Sequence, residues 1–497
     1  MSVWCEAAWI RGRGVVSGVR VEVDESGIVT RLELGAERKA SDLPVSGVAF
    51  PAASNAHSHA FHRVLRGRTH DMGVGSFWTW REQMYRAAGA LSPALYEQLA
   101  TAVFAEMVVT GWTSVAEFHY VHHRPDGTPY GSTGNGGSPG SARSEASAGS
   151  TDPYGSADGS GSAASNGADG PHAMELALAR AAVNARIRLT LLDTCYLAGG
   201  IGQELSPEQL RFGDPDVHAW LSRLESLREA ISREFSPDQV TVGAALHSVR
   251  GVPADVLPVI AEKLPPEIPL HIHLSEQPAE NEACLQATGL TPTALLRRSG
   301  LLTRRLSAVH ATHLTEQDIA MLGAAHATVV MCPTTEADLA DGIGPAAALR
   351  DAGARIALGT DQHAVVDPWL EMRALEHGER LRSGQRGWFP PEALHEAASD
   401  AGARSQGRRL PGFERGKYCD LMAVDPGSLR TIGSQPDQLA LSATAQDVRT
   451  VVVGGRLAAR QGIHATLGDP ARLLAAAITD VDAAATGDTA AKGALQK

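Results

Sequence analysis

Short, almost wholly apolar runs alternate with longer amphipathic stretches through the middle of the chain. The runs are one that ends at His57, then "TSVAEFHYV", "RIRLTLLDTCYL", "VTVGAALHSV", "PLHIHL", "LSAVHATHL", "ATVVMCPT" and "RIALGTDQH". Between them, "PALYEQLATAVFAEMVVTG" and "EQDIAMLGAAHA" carry the helical period. Short buried strands alternating with helices predict βα units and a parallel sheet. Eight such runs predict a closed (β/α)8 barrel, an open doubly wound sheet being the other arrangement. The ends of the chain differ. "VRVEVDESGIVTRLEL" alternates apolar and polar positions about Asp24–Gly27, the pattern of a hairpin, and "CDLMAVD" and "VRTVVVGGRLAARQGI" also read as strands.

One segment breaks the alternation. Residues 131–170 hold 21 Gly or Ser in 40 positions and no Val, Ile, Leu, Met, Phe or Trp. Such a stretch cannot bury enough apolar surface to offset its ordering entropy, so a disordered insertion after the second strand is expected. The expected division is residues 1–50 and 411–475 for a terminal β unit, 51–410 for the barrel with its insertion, and 476–497 for a loose tail. A chain of 497 residues with 43% hydrophobic and 20% charged positions can build a barrel and a small accessory domain. The net charge of −12 argues against nucleic-acid binding and against adhesion to anionic membranes. No basic-then-apolar leader pattern is read at the N-terminus, and no apolar run reaches membrane-spanning length. Five scattered cysteines, an odd number, suit a reducing cytoplasm.

The histidines change the picture. With 19 of them, random placement gives roughly 0.7 His-x-His pairs. There are two, His57/His59 and His271/His273, and each follows an apolar run. Residues two apart on a strand share a face, and the C-terminal strand ends of a barrel carry its chemistry. His310 in "AVHATH", Asp361 in "ALGTDQH" and Glu276 in "HIHLSEQ" follow later runs. Singly, a core histidine, a helix cap and a solvated carboxylate would account for them. At successive strand ends, they supply imidazoles and carboxylates suited to a divalent ion with an open position for water.

These residues resemble the amidohydrolase superfamily: "HSH" after a first strand, a His after the fifth and sixth, an Asp after the eighth. The segments "SNAHSHAFHRVLRG", "SFWTWREQMYR", "GWTSVAEFHYVHHRPDG", "HSVRGV", "PLHIHLSEQ", "VHATHLT", "CPTTEADLADGI" and "EHGERLRSGQR" resemble, in order, the formimidoylglutamate deiminases of histidine degradation over roughly residues 50–385. The resemblance implies a TIM-like amidohydrolase barrel with a small β-sandwich built from both termini, and a homodimer. The sequence departs from the family pattern at His62, where Gln is usual, at Asp338 and Ala340, where "TEANLGDG" is usual, and at Gln362, where "GSDSH" is usual.

His57, His59, His273 and Asp361 can then hold one divalent ion, with zinc expected. Such an ion lowers the pKa of a water from 15.7 toward about 7. Asp361 can accept its proton, Glu276 can deliver one to the departing nitrogen, and His310 can orient the attack. The fourth strand ends in "HSVR" with no lysine, which favours a single ion over a lysine-bridged pair. His271 would overfill a tetrahedral site and is read as a supporting histidine. The substrate, a dicarboxylate, calls for fixed cations, and Arg81 and Arg250 are the candidates. The resemblance adds His247 and Tyr120 as substrate contacts, and His62 is read as lying beside the pocket. Two other readings stay open: a deaminase of a nucleobase or other cyclic amidine on the same scaffold, and a non-catalytic metal-binding barrel.

Overall fold

The computed structural model describes residues 1–69, 77–132 and 170–495. The Gly/Ser-rich segment expected over 131–170 lies, apart from its ends, outside the described residues. Four strands open the chain: β1 (Ser2–Ile10), β2 (Gly14–Val23), β3 (Val29–Leu34) and β4 (Leu43–Pro51). Eight follow: β5 (Ala53–Ser58), β6 (Trp112–His119), β7 (Arg188–Cys195), β8 (Val240–Leu246), β9 (Leu270–Leu274), β10 (Leu306–His310), β11 (Thr328–Met331) and β12 (Arg355–Leu358). The last four are β13 (Leu421–Val424), β14 (Val448–Val453), β15 (Arg456–Arg460) and β16 (Ile463–His464).

Strands β5 to β12 pair in chain order, all parallel, and each coincides with one of the eight apolar runs. Covered on both faces, these strands need apolar side chains throughout, which is why they read as runs without alternation. The ring closes between β5 and β12. The His57 carbonyl accepts from the N–H groups of Thr360 and Asp361, both at 3.0 Å, and the Asp361 carbonyl accepts from His59 N–H at 3.0 Å. Asn55 reinforces the seam, donating to Thr360 Oγ1 at 2.7 Å and accepting from Thr360 N at 3.1 Å.

Helices follow the strands as the period required. Pro93–Thr110 is capped by Ser92, whose hydroxyl accepts from Leu95 N, and Glu316–Ala324 starts with a Thr315/Asp318 capping box. At the opposite mouth from the strand C-termini, Gln406 donates to the Asn55 carbonyl at 2.9 Å. A Cβ on Gly402 would stand 2.1 Å from the Ser54 carbonyl oxygen, so only glycine permits that approach.

The terminal strands form a second sheet in the order β16-β15-β14-β13-β4-β1-β2-β3. Its hairpin β2–β3 turns where expected, with the Asp24 carboxylate accepting from Ser26 and Ile28 N–H. Alternation gives it two apolar faces. Val45, Ala49, Leu421 and Ala423 pack in the sheet's own core with Val3 and Val19, while Phe50, Met422 and Val424 join the barrel's core.

The loose tail expected after residue 475 is corrected. Pro470–Leu495 is a helix, and its Leu474, Ala477 and Val481 are buried at helical spacing. Asp482 pairs with Arg68 and Asp480 accepts from Gln98 Nε2. An alanine-rich stretch with few large apolar residues reads as loose by composition, but alanine is the strongest helix former and a three-residue stripe suffices for docking. No described helix is long and apolar enough to cross a membrane.

Candidate active site

At the C-terminal mouth of the barrel, side chains from β5, β9 and β12 converge. His57 Nε2 and His59 Nε2 lie 3.2 and 3.3 Å from His273 Nε2. Asp361 Oδ1 lies 3.2 Å from His57 Nε2 and 3.5 Å from His59 Nε2. Four donors in a tetrahedron around a zinc-sized ion, each about 2.0–2.1 Å from it, are roughly 3.3–3.4 Å apart. The tautomers agree with that use. His59 Nδ1–H donates to the Phe118 carbonyl at 2.8 Å and His273 Nδ1–H to the His247 carbonyl at 2.9 Å. Burial, aided by the neighbouring His57, pushes His59 down to about 3, so its imidazole is neutral. Its Nε2 is then a bare lone pair facing another bare lone pair, an arrangement that calls for a cation between them.

The strand ends are bent to aim these groups. Ser275, His310 and Asp361 have φ of +51°, +66° and +43°. Left-handed geometry costs a non-glycine residue on the order of 1–3 kcal/mol and persists only where neighbours enforce it. Here His59 N–H holds the Asp361 carbonyl, and His313 N–H holds that of Ser275, each at 3.0 Å.

Beside the cluster, His310 Nε2 stands 3.8 Å from Glu276 Oε1 and 3.9 Å from Asp361 Oδ2, while its Nδ1 faces Glu336 Oε1 at 3.5 Å. Burial opposes a charge on His310, but Glu276, Glu336 and Asp361 outweigh it and push it up to about 10. The cavity above holds about 350 Å³, and its lining includes His59, His273, Glu276, His310 and Asp361 together with Arg81, Tyr120, His247 and Arg250. His62 lines it too, sharing a 3.0 Å hydrogen bond between its Nε2 and the Tyr120 hydroxyl. The Arg81 guanidinium lies 5.3 Å from the Tyr85 ring centre. The metal, acid–base and substrate-binding candidates from the sequence thus lie together at this mouth. His271 does not join the cluster; its ring bonds the Ser405 carbonyl at 2.9 Å.

Sequence reading missed Glu117, at the end of β6. Its carboxylate accepts from Ser58 Oγ at 2.5 Å and from Ala60 N–H at 2.6 Å, pinning the chain on both sides of His59. Burial pushes it up to about 8 against those two bonds. A carboxylate inside the apolar run "SVAEFHYV" was the available signal. Tyr196, which follows β7 and lines the cavity, was legible only by its strand-end position.

Two of the departures from the family pattern meet each other. Gln362 Nε2 donates to Asp338 Oδ2 at 2.8 Å, and neither residue lines the cavity. Ala340, where glycine is usual, has φ +60°. Removing a Cβ there relieves strain of roughly 1–2 kcal/mol and gives part of it back as unfolded-state entropy. Ala340→Gly is therefore expected to stabilise the fold by about 0.5–1 kcal/mol. Chemical denaturation reads this directly, and an unchanged or lower midpoint would contradict it.

A second histidine–carboxylate group, His119, His122 and Glu175, lies nearby. Arg223 already fills the cationic role there, with Nη1 3.0 Å from His122 Nδ1 and 3.7 Å from Glu175, while also pairing Asp193 and Asp214. That group ties the loop after β6 to the helix Val217–Glu234.

Comparison with known proteins gives the chain's similarities. Residues 151–458 match the family model described as the amidohydrolase family. The chain is 30% identical over 465 residues to a formimidoylglutamate deiminase of Pseudomonas aeruginosa, spanning 91% of this chain and 93% of that one. It is 30% identical over 257 residues to a 5-methylthioadenosine/S-adenosylhomocysteine deaminase of Halobacterium salinarum, spanning 50% and 59%. A solved amidohydrolase from Brucella melitensis superposes with a TM-score of 0.81 at 27% identity, over 97% of this chain and 99% of that one.

Proposed function

The chain belongs to the amidohydrolase family, and from that premise we propose that it hydrolyses N-formimidoyl-L-glutamate to N-formyl-L-glutamate and ammonia. Hydrolysis at a C–N bond is the coarser statement that its deiminase and deaminase relatives share. The linear dicarboxylate amidine is the finer one. It is carried by a single observation: Arg81 and Arg250 open into the same cavity as Glu276, His310 and Asp361. Arginine's planar fork suits a carboxylate and stays charged at any working pH. A dicarboxylate offers each guanidinium a planar anionic partner, which a neutral nucleobase does not.

His57, His59, His273 and Asp361 would hold one divalent ion, zinc by the three-imidazole donor set. β8 runs into "HSVR" without a lysine, so the bridge of two-metal relatives has no counterpart. Such an ion, when bound, supplies Lewis acidity and brings the pKa of a water toward about 7. The chain's own groups do the rest. Asp361 takes the proton released by the attacking water. Glu276, just past β9, hands a proton to the amidine nitrogen so that it leaves as ammonia. His310, which faces Glu276 and Asp361, orients the attacking oxygen. Arg81 and Arg250 fix the two carboxylates, with Tyr120, His247 and His62 shaping the rest of the pocket.

The test is ammonia release from formimidoylglutamate by the purified protein as isolated, after chelation, and after metal is restored. Release that falls on chelation and returns with metal supports the reading; none from a metal-loaded sample overturns it. Arg250→Ala is expected to raise KM about 10- to 100-fold, the worth of a lost charge-assisted bidentate pair. Steady-state kinetics checks this, and an unchanged KM would remove the carboxylate contact.

A further inference from the structure

Glu280 sits in the first turn of the helix Pro278–Thr288, one helical turn after Glu276, and lines the same cavity. Its side chain is 0% exposed, and neither carboxylate oxygen has a well-formed hydrogen bond, though the Glu276 backbone N–H approaches the group. Burial pushes its carboxyl up to about 7, with Arg250 pulling the other way. A carboxylate in that position needs a cation. The Arg250 guanidinium is there, with Nε 3.9 Å from Glu280 Oε2 and Nη2 3.7 Å from Glu276 Oε2. Both separations exceed a charge-assisted hydrogen bond of about 2.7–2.9 Å. The guanidinium is thus suspended between two carboxylates and bonded to neither. Its own side chain is 24% exposed, so a ligand reaches the fork while Glu280 stays behind it.

We propose that Glu280 is a positioning residue: it anchors Arg250 from behind, keeps its fork turned toward the substrate's carboxylate, and holds it off Glu276. This rests on the substrate reading above. Without the charge on Glu280, the guanidinium has one carboxylate left to move toward, and that carboxylate is Glu276. The recognition cation and the proton-transfer group would then pair with each other, and both would be lost to the substrate.

Glu280→Gln keeps shape and removes charge. Its expected effect is a rise in KM for formimidoylglutamate of about tenfold, larger than its effect on kcat, since a charge-anchored arginine is worth roughly that factor. Glu280→Asp, which keeps the charge, recovers part of the loss. In an Arg250→Ala background, Glu280→Gln adds nothing further to KM. An equal added loss in that background, or a loss in kcat alone, would overturn the proposal. A second arm needs no substrate. Arg250→Ala strands a buried carboxylate, so the Arg250→Ala/Glu280→Gln protein should unfold at a higher temperature than Arg250→Ala alone. Two additive decreases would overturn the pairing. Should the wild type leave formimidoylglutamate intact, the function falls, while the unfolding cycle still decides whether Glu280 anchors Arg250.

Discussion

Glu276→Gln is expected to keep its metal and lose about 10²–10⁴ in kcat, the usual worth of a positioned general acid. The amide fills the same volume beside His310 and Arg250 but carries no transferable proton. Glu276 is not among the four donors that converge, so metal content by elemental analysis should stay near that of the wild type. KM should change less than kcat, because both arginines remain, although Arg250 loses one of its two carboxylate neighbours. Retention of more than about a tenth of wild-type kcat would dismiss the proton-transfer role. Loss of metal instead would mean that Glu276 acts through the donor set.

His273→Ala is expected to be as damaging by a different route. It removes the imidazole whose Nε2 lies within 3.3 Å of both His57 and His59, and leaves the His247 carbonyl without its 2.9 Å donor. Activity should fall by at least the factor expected for Glu276→Gln, together with most of the bound metal. The decisive measurement is thermal unfolding of the metal-free protein with and without added zinc. A ligand at a hundred times its Kd stabilises the native state by about 2.7 kcal/mol, so the wild type should gain several degrees on addition. His273→Ala should gain little. An equal shift in both proteins would show that the ion binds elsewhere, and the four-donor assignment would fail.

Residue departures illustrate how far local reading reaches. His62, Asp338, Ala340 and Gln362 each differ from the family pattern, and by sequence each could alter substrate contacts. In the fold only His62 faces the cavity, through Tyr120. Asp338 and Gln362, 24 positions apart, satisfy one another, and Ala340 occupies a backbone conformation that glycine would hold more cheaply. A pair of changes that answer each other reads as two separate anomalies until the segments after β11 and β12 are seen side by side.

The chain's own order of residues determined the eight barrel strands, the terminal hairpin and the strand-end histidines. These are local facts: a strand buried on both faces must be apolar throughout, and a polar group just past it stands at the rim. Tertiary structure alone decided the rest. Closure of β5 on β12 brings His57 against Asp361 across about three hundred residues. Glu117 beneath His59, the helix at the C-terminus, and Arg250 suspended between Glu276 and Glu280 likewise depend on partners distant in the chain. No periodicity records them, because the energy of a buried charge or an alanine stripe is set by what the fold places opposite it.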